Sequence, residues 1–205
     1  NVSGTLIKSG GTGTSVIAVK AADSGSMEAA SGTLDFKQKI TGAGAMSVDA
    51  GAILEADSSA ASTLTATFNG AGGVLALKTP SKFAATIAGF ALGDTIDLLG
   101  KAATSATLGA GDTLVITNGS KAVATLQLTG NYAGDTFAVA SDGHGGTSVT
   151  VATSAPIQVA PAASHRFVSA MAGFGGGAGA ALAPVAVHSD AWRPMLTAPR
   201  FARLA

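Results

Sequence analysis

The chain has no cysteine, so disulfides and thiolate-based metal or redox chemistry are excluded. Aromatic residues make up 5% of it and charged residues 12%, about half the charge usual in a soluble globular domain. A compact enzyme of 205 residues would normally carry about twice that charge. No run of about 18 apolar residues occurs, which predicts no transmembrane helix. The chain also opens at Asn1 without a start methionine, which predicts the C-terminal part of a longer protein.

Charge of each type is missing from part of the chain. All eight lysines lie between Lys8 and Lys121, and all four arginines between Arg166 and Arg203. Residues 1–152 therefore carry eight lysines against eleven acids, a net of −3, and residues 153–205 carry four arginines against Asp190, a net of +3. A mildly acidic body predicts no sequence-independent binding of nucleic acid. The switch from lysine to arginine marks a boundary.

What remains is rich in Gly, Ala, Thr, Val and Leu. Short apolar runs are separated by Gly, Asp, Asn and Ser. In "STLTATF" (Ser62–Phe68), Leu64, Ala66 and Phe68 share one face and Thr63, Thr65 and Thr67 the other. In "AVATLQL", Ala124, Leu126 and Leu128 oppose Val123, Thr125 and Gln127. Such alternation predicts half-buried strands with threonine on the outer face. "TLVIT", "DTFAVA" and "TSVTV" continue the style, and further strands are expected near 4–7, 14–19, 32–36, 45–49, 52–56, 73–78 and 94–99. "SKFAATIAGF" places Phe83, Ile87 and Phe90 at helix-like spacing after Pro80, and reads equally as one helical turn or as a strand entering a glycine turn.

The strands recur at roughly 20 residues. Gly4-Thr5-Leu6 returns as Gly32-Thr33-Leu34, and Gly-Asp-Thr occurs at Asp94, Asp112 and Asp135. Small inner residues, scarce aromatics and threonine-rich outer faces predict an all-β fold, a parallel β-solenoid in which each coil buries its inner face against its neighbours. The body is residues 1–152. Residues 153–163 form a Pro/Ala/Ser linker. Residues 164–205 read as a mostly irregular tail with a short helix, capped by Ser164 and carrying Phe167, Met171 and Phe174 on one face.

"GAGGVLALKTPSKFAATIAGFALGDTIDLLG", "GDTLVIT", "VATLQLTG" and "GDTFAVASDGHGGTSVTV" together resemble the Gly/Thr-rich β-solenoid regions of large bacterial surface and secreted proteins, such as autotransporter-like passengers and hemagglutinin-like adhesins. The tail segment "HRFVSAMAGFGGG" is similar to the C-terminal ends of type I-secreted proteins. The resemblance covers about residues 32–151 and implies an extracellular or cell-surface module, structural or adhesive. Its implied partners are carbohydrate or other cell-surface ligands, other copies through the solenoid ends, and the secretion machinery through the tail.

Candidate chemistry is thin, and the expectation is no catalytic, cofactor or metal residue. The Gly-Asp-Thr sites fit turns, with a glycine at positive φ and an aspartate bonding the local backbone before a strand. Calcium would need several converging oxygens. The nearest match to the calcium nonapeptide, "GGTGTSVIA" (Gly10–Ala18), has Ser15 in the aspartate position. Asp142 and His144 share a glycine-rich loop without a nearby third ligand or the lysine of a phosphate loop. There is no G-x-S-x-G elbow. For sugar hydrolysis, Asp35, Asp49, Glu55, Asp57, Asp94 and Asp97 are the carboxylates that coils would bring together, although Asp94 and Asp97 fall on opposite faces of a strand. Trp192 reads as part of an exposed tail. The alternatives are therefore a module of a polysaccharide-active enzyme and a calcium-stabilised secreted domain. Carboxylates clustered in a groove on one lateral sheet favour the enzyme; a plain threonine-rich face favours the structural reading.

Overall fold

The computed structural model describes residues 1–152. The expected linker (153–163) and tail helix, with Ser164 and Trp192, lie outside the described residues. The strands follow one another as β1 (Thr5–Lys8), β2 (Thr14–Ile17), β3 (Ala21–Asp23), β4 (Ser26–Ala29), β5 (Thr33–Phe36), β6 (Ile40–Gly42), β7 (Ala45–Asp49) and β8 (Ile53–Ala56). Next come β9 (Thr65–Asn69), β10 (Val74–Leu77), β11 (Thr86–Ala88) and β12 (Thr95–Leu98). The described residues end with β13 (Ser105–Gly109), β14 (Thr113–Asn118), β15 (Lys121–Thr129), β16 (Thr136–Ser141) and β17 (Thr147–Ala152).

The first twelve strands wind into five coils. One lateral sheet stacks β1, β4, β7, β9 and β11 in parallel, and a second stacks β2, β5, β8, β10 and β12. A narrow third side holds β3 and β6, continued by bridges through Ala60 and Phe83. Thr14, Thr33, Ile53, Val74 and Thr95 hold equivalent places, 19, 20, 21 and 21 residues apart. The expected period is therefore real, but two of the sequence matches that suggested it are not coil repeats. Thr5 of the first Gly-Thr-Leu stands beside Ser26 in one sheet, and Thr33 of the second stands beside Thr14 in the other. Of the Gly-Asp-Thr sites only Asp94 lies in the coiled part.

Every strand is short because two faces of each coil must turn. Met27, Met46, Ala66 and Ile87 line up inside the first sheet; Leu34, Leu54, Leu75 and Ile96 line up inside the second. All of these are at most 3% exposed, so each coil buries its inner row against the next. Stacking at the ~4.8 Å strand spacing leaves no room for side chains at some corners. A Cβ on Gly42, whose φ is +108°, would lie 1.8 Å from the carbonyl oxygen of Asp23 in the coil before.

The coil geometry stops after β12. β13, β14 and β15 form an antiparallel meander, and the end of β15 pairs in parallel with β11. β16 and β17 form a hairpin whose second strand runs antiparallel to β12. This cap closes the C-terminal end of both sheets. Phe68, Phe90, Phe137 and Tyr132 link coils to cap through ring centroids 5.4, 6.3 and 6.1 Å apart. "SKFAATIAGF" resolves into both of its alternatives: a 3-10 turn at Pro80–Lys82, then β11. Phe83, Ile87 and Phe90 are all buried.

In the first coil the carbonyls of Gly4 and Lys8 accept from Ser26 and Ala30, and that of Gly13 accepts from Thr33. Two inward positions of this coil are polar. Lys8 stands in register with Ala29, and Ser15 with Leu34. The Lys8 ammonium donates to the carbonyls of Gly10 and Gly11 at 2.8 and 3.3 Å.

Candidate functional site

The Gly-Asp-Thr sites begin strands as expected, at Thr95, Thr113 and Thr136, but the three aspartates are not alike. Asp94 is 1% exposed. One carboxylate oxygen accepts from the backbone N–H of Gly72 and Gly73 at 3.0 and 3.2 Å, and the other from Ala91 at 3.0 Å. It thus joins its own turn to the turn of the preceding coil. Asp112 takes a left-handed φ of +56°. Among the described residues, the side chains of Asp112 and Asp135 make no such bond, which corrects the expectation for those two. Asp142 behaves as a loop organiser: one of its oxygens accepts from the N–H of His144 at 2.7 Å and of Gly146 at 2.8 Å. The bond from His144 leads the pull that holds the Asp142 carboxyl below its ordinary range, with partial desolvation opposing it. The Gly10–Ala18 segment forms the first corner and β2, with Ser15 facing inward.

The two lateral sheets present different outer faces. The first is mostly hydroxyl-bearing: Thr5, Ser26, Thr65 and Thr86 share one row with Ala45, and Ser47 and Thr67 lie in the next with Ile7, Glu28 and Ala88. The second carries ions. Its strands align as Thr33-Leu-Asp-Phe-Lys37, Ile53-Leu-Glu-Ala-Asp57, Val74-Leu-Ala-Leu-Lys78 and Thr95-Ile-Asp-Leu-Leu99, with alternate residues outward. One row is Asp35, Glu55, Ala76 and Asp97; the next is Lys37, Asp57, Lys78 and Leu99. The expected hydroxyl-bearing exterior therefore holds for the first sheet, apart from Ile7, Glu28 and the alanines, and not for the second.

Within the ionic rows, Asp35, Glu55 and Asp57 converge, with one oxygen of each within 4.8 Å of the others. Asp49 and Asp94 lie apart from them. Asp49 stands at the end of the first sheet, bonded to Asn69 at 3.0 Å. The place a cation would take is filled by Lys37, whose ammonium lies 2.6 Å from Asp35, 3.0 Å from Asp57 and 3.9 Å from Glu55. Lys78 adds a contact to Asp57 at 3.2 Å. Burial, and then the charge of Asp35, pushes the Glu55 carboxyl up. Asp57 is also partly desolvated, yet hydrogen bonds from Lys37 and Lys78 bring it below its ordinary range. Lys37 is held well above its ordinary value, led by its bond to Asp35. Protonated Glu55 would leave Asp35 and Asp57 balanced by Lys37 and Lys78.

The acids differ in access: Asp35 is 2% exposed, which keeps its carboxylate out of the hydrogen-bond reach that proton transfer needs, and the Glu55 side chain is 22% exposed. Asp97 stands on the same outer face, and its carboxyl is pushed up first by burial and then by the charge of Asp142, with His144 opposing. An open pocket of about 350 Å³ lies elsewhere, bordered by Ser81, Lys101, Asn118 and Lys121. The row alignment was available in the sequence: the four pentapeptides from Thr33, Ile53, Val74 and Thr95 share an apolar second position and an ionic fifth in three cases.

Among the described residues no helix is long and apolar enough to cross a membrane. No family model matches the chain, and no curated protein or solved structure is significantly similar to it.

Proposed function

We propose that this protein is an extracellular or cell-surface structural module with an adhesive side, carried on a β-solenoid and exported by way of its C-terminal tail. The observation that carries the reading is the use made of the polar groups. The buried carboxylate of Asp94 is spent on backbone N–H groups of adjacent turns, and those of Asp35 and Asp57 on lysines of the same face. Neither group is aimed into a cleft. Regular coils bury a continuous core and leave long lateral faces for contact, an arrangement suited to spacing and display.

The carboxylate cluster favours the rival, a module of a polysaccharide-active enzyme, only in composition. With Lys37 among the three acids and Asp35 buried, the cluster is built as an ion-pair network. The functional test is surface proteolysis and antibody labelling of intact cells of the bacterium that makes the chain. The reading expects the protein on the surface or in the medium. Recovery solely from the cytoplasm would sink it.

A further inference from the structure

The coil register gathers the body's lysines at one corner. The segments leaving the second lateral sheet are residues 18–20, 37–39, 57–59, 78–82 and 99–101, and they contain Lys20, Lys37, Lys39, Lys78, Lys82 and Lys101. Backbone bonds fix the stack. Ala21 N–H donates to the Lys39 carbonyl at 3.2 Å and Ile40 N–H to that of Ser59 at 2.9 Å. Ala84 N–H donates to the Ala60 carbonyl at 3.0 Å, and Leu99 N–H to that of Leu77 at 3.0 Å. Lys20, Lys39, Ser59 and Lys82 thus follow one another along the axis, one per coil, at a spacing of ~4.8 Å per step. Lys121, from the β14–β15 hairpin, borders the same pocket as Lys101 and Ser81. Seven of the eight lysines therefore share one ridge.

Lys37 and Lys78 are engaged by Asp57. Lys20, Lys39, Lys82, Lys101 and Lys121 are exposed and form no ion pair among the described residues. A body with net charge −3 has thus concentrated five free ammonium groups on one line and at the pocket that ends it. Like charges set this close repel one another, and a polyanion lying along the line would relieve that repulsion.

We infer that this ridge binds an acidic polysaccharide, lying along the solenoid axis with one anionic unit seated in the pocket beside Lys101 and Lys121. The inference rests on the adhesive side of the reading above and names its ligand class. A carboxylated or sulfated glycan is favoured over nucleic acid by the groups present. Lysine point charges alternate with Gln38, Ser58, Ser59, Thr79, Ser81 and Asn118, which can bond sugar hydroxyls. No arginine fork or aromatic platform for stacking bases stands in these corner segments. The surrounding negative charge would repel a duplex, whose charge is denser.

The test is binding of the full chain to dextran sulfate, polygalacturonate, neutral dextran and duplex DNA over a range of salt concentrations. It compares the parent with a Lys39→Gln, Lys82→Gln, Lys101→Gln, Lys121→Gln variant and with a variant whose four arginines are changed to Gln. Circular dichroism melting confirms that both variants are folded. The expected result is binding to at least one acidic glycan and not to dextran, weakened by salt, and at least ~10-fold weaker after the lysine changes. Three results would overturn the inference: binding that survives the lysine changes but not the arginine changes, equal binding to dextran, or tighter binding to DNA. None of these bears on whether the protein lies on the cell surface, which the proteolysis experiment decides separately.

Discussion

The carboxylate of Asp94 holds the backbone N–H of Gly72, one coil earlier in the solenoid, at 3.0 Å. Gly72 has a φ of +96°, so its N–H sits at a sharp corner and has no strand partner. Asp94 supplies the acceptor. The same side chain satisfies Gly73 and Ala91, which makes this aspartate a cross-coil tie where a sequence motif suggested a repeated site.

The three Gly-Asp-Thr aspartates should therefore respond differently to mutation. Asp94→Ala strands three backbone donors and is expected to cost ~2–4 kcal/mol. Asp135→Ala, at an exposed turn, should stay within ~0.5 kcal/mol. Asp112→Gly removes a Cβ from a left-handed backbone and should be neutral or stabilising by up to ~1 kcal/mol. Urea denaturation of the three variants measures all of this, and equal effects would refute the distinction.

Glu55 gives a pH signature. Its carboxyl titrates above the ordinary 4.5 in the folded state, through burial and then the neighbouring Asp35. The folded state therefore binds this proton more tightly than the unfolded state. Stability from this group is present below about pH 4.5 and is lost as pH rises through the folded value. Asp57 works in the opposite sense, its contribution being present above the ordinary 3.8 and lost as pH falls through its depressed folded value. Glu55→Gln keeps a donor for Asp57 and removes the charge, so it should melt above the parent at about pH 7 and with it at about pH 3.5. A variant that melts below the parent at neutral pH would contradict the network described.

Much of the architecture was legible in the sequence because period-two alternation is a local signal. The strands at Ala45–Asp49 and Thr65–Asn69 fell where alternation put them, and Leu64, Ala66 and Phe68 face the core as read. β4 was missed because Ser-Met-Glu-Ala is short and carries a charge at its outward position. β3 and β6 are three residues each, too short to show a period. The candidate site was legible only as unplaced acids. What brought Asp35, Glu55 and Asp57 together, and drew the lysines into one line, was register across coils. Register is set by corner lengths, which vary between coils of 19 and 21 residues, and no single strand reveals it.

The central claim is that Asp94 is a structural tie bonded to backbone N–H groups and that Lys37 holds the place an ion would take among Asp35, Glu55 and Asp57. The most direct test is thermal melting of the full chain, followed by far-UV circular dichroism, in calcium and in chelator. Lys37→Ala serves as comparison, because it leaves three carboxylates facing one another. The account predicts identical curves for the parent in both conditions, and a lower melting point for Lys37→Ala that calcium partly restores. A parent that melts several degrees higher in calcium, or loses its β signal in chelator, would contradict it and recast the protein as a calcium-stabilised domain.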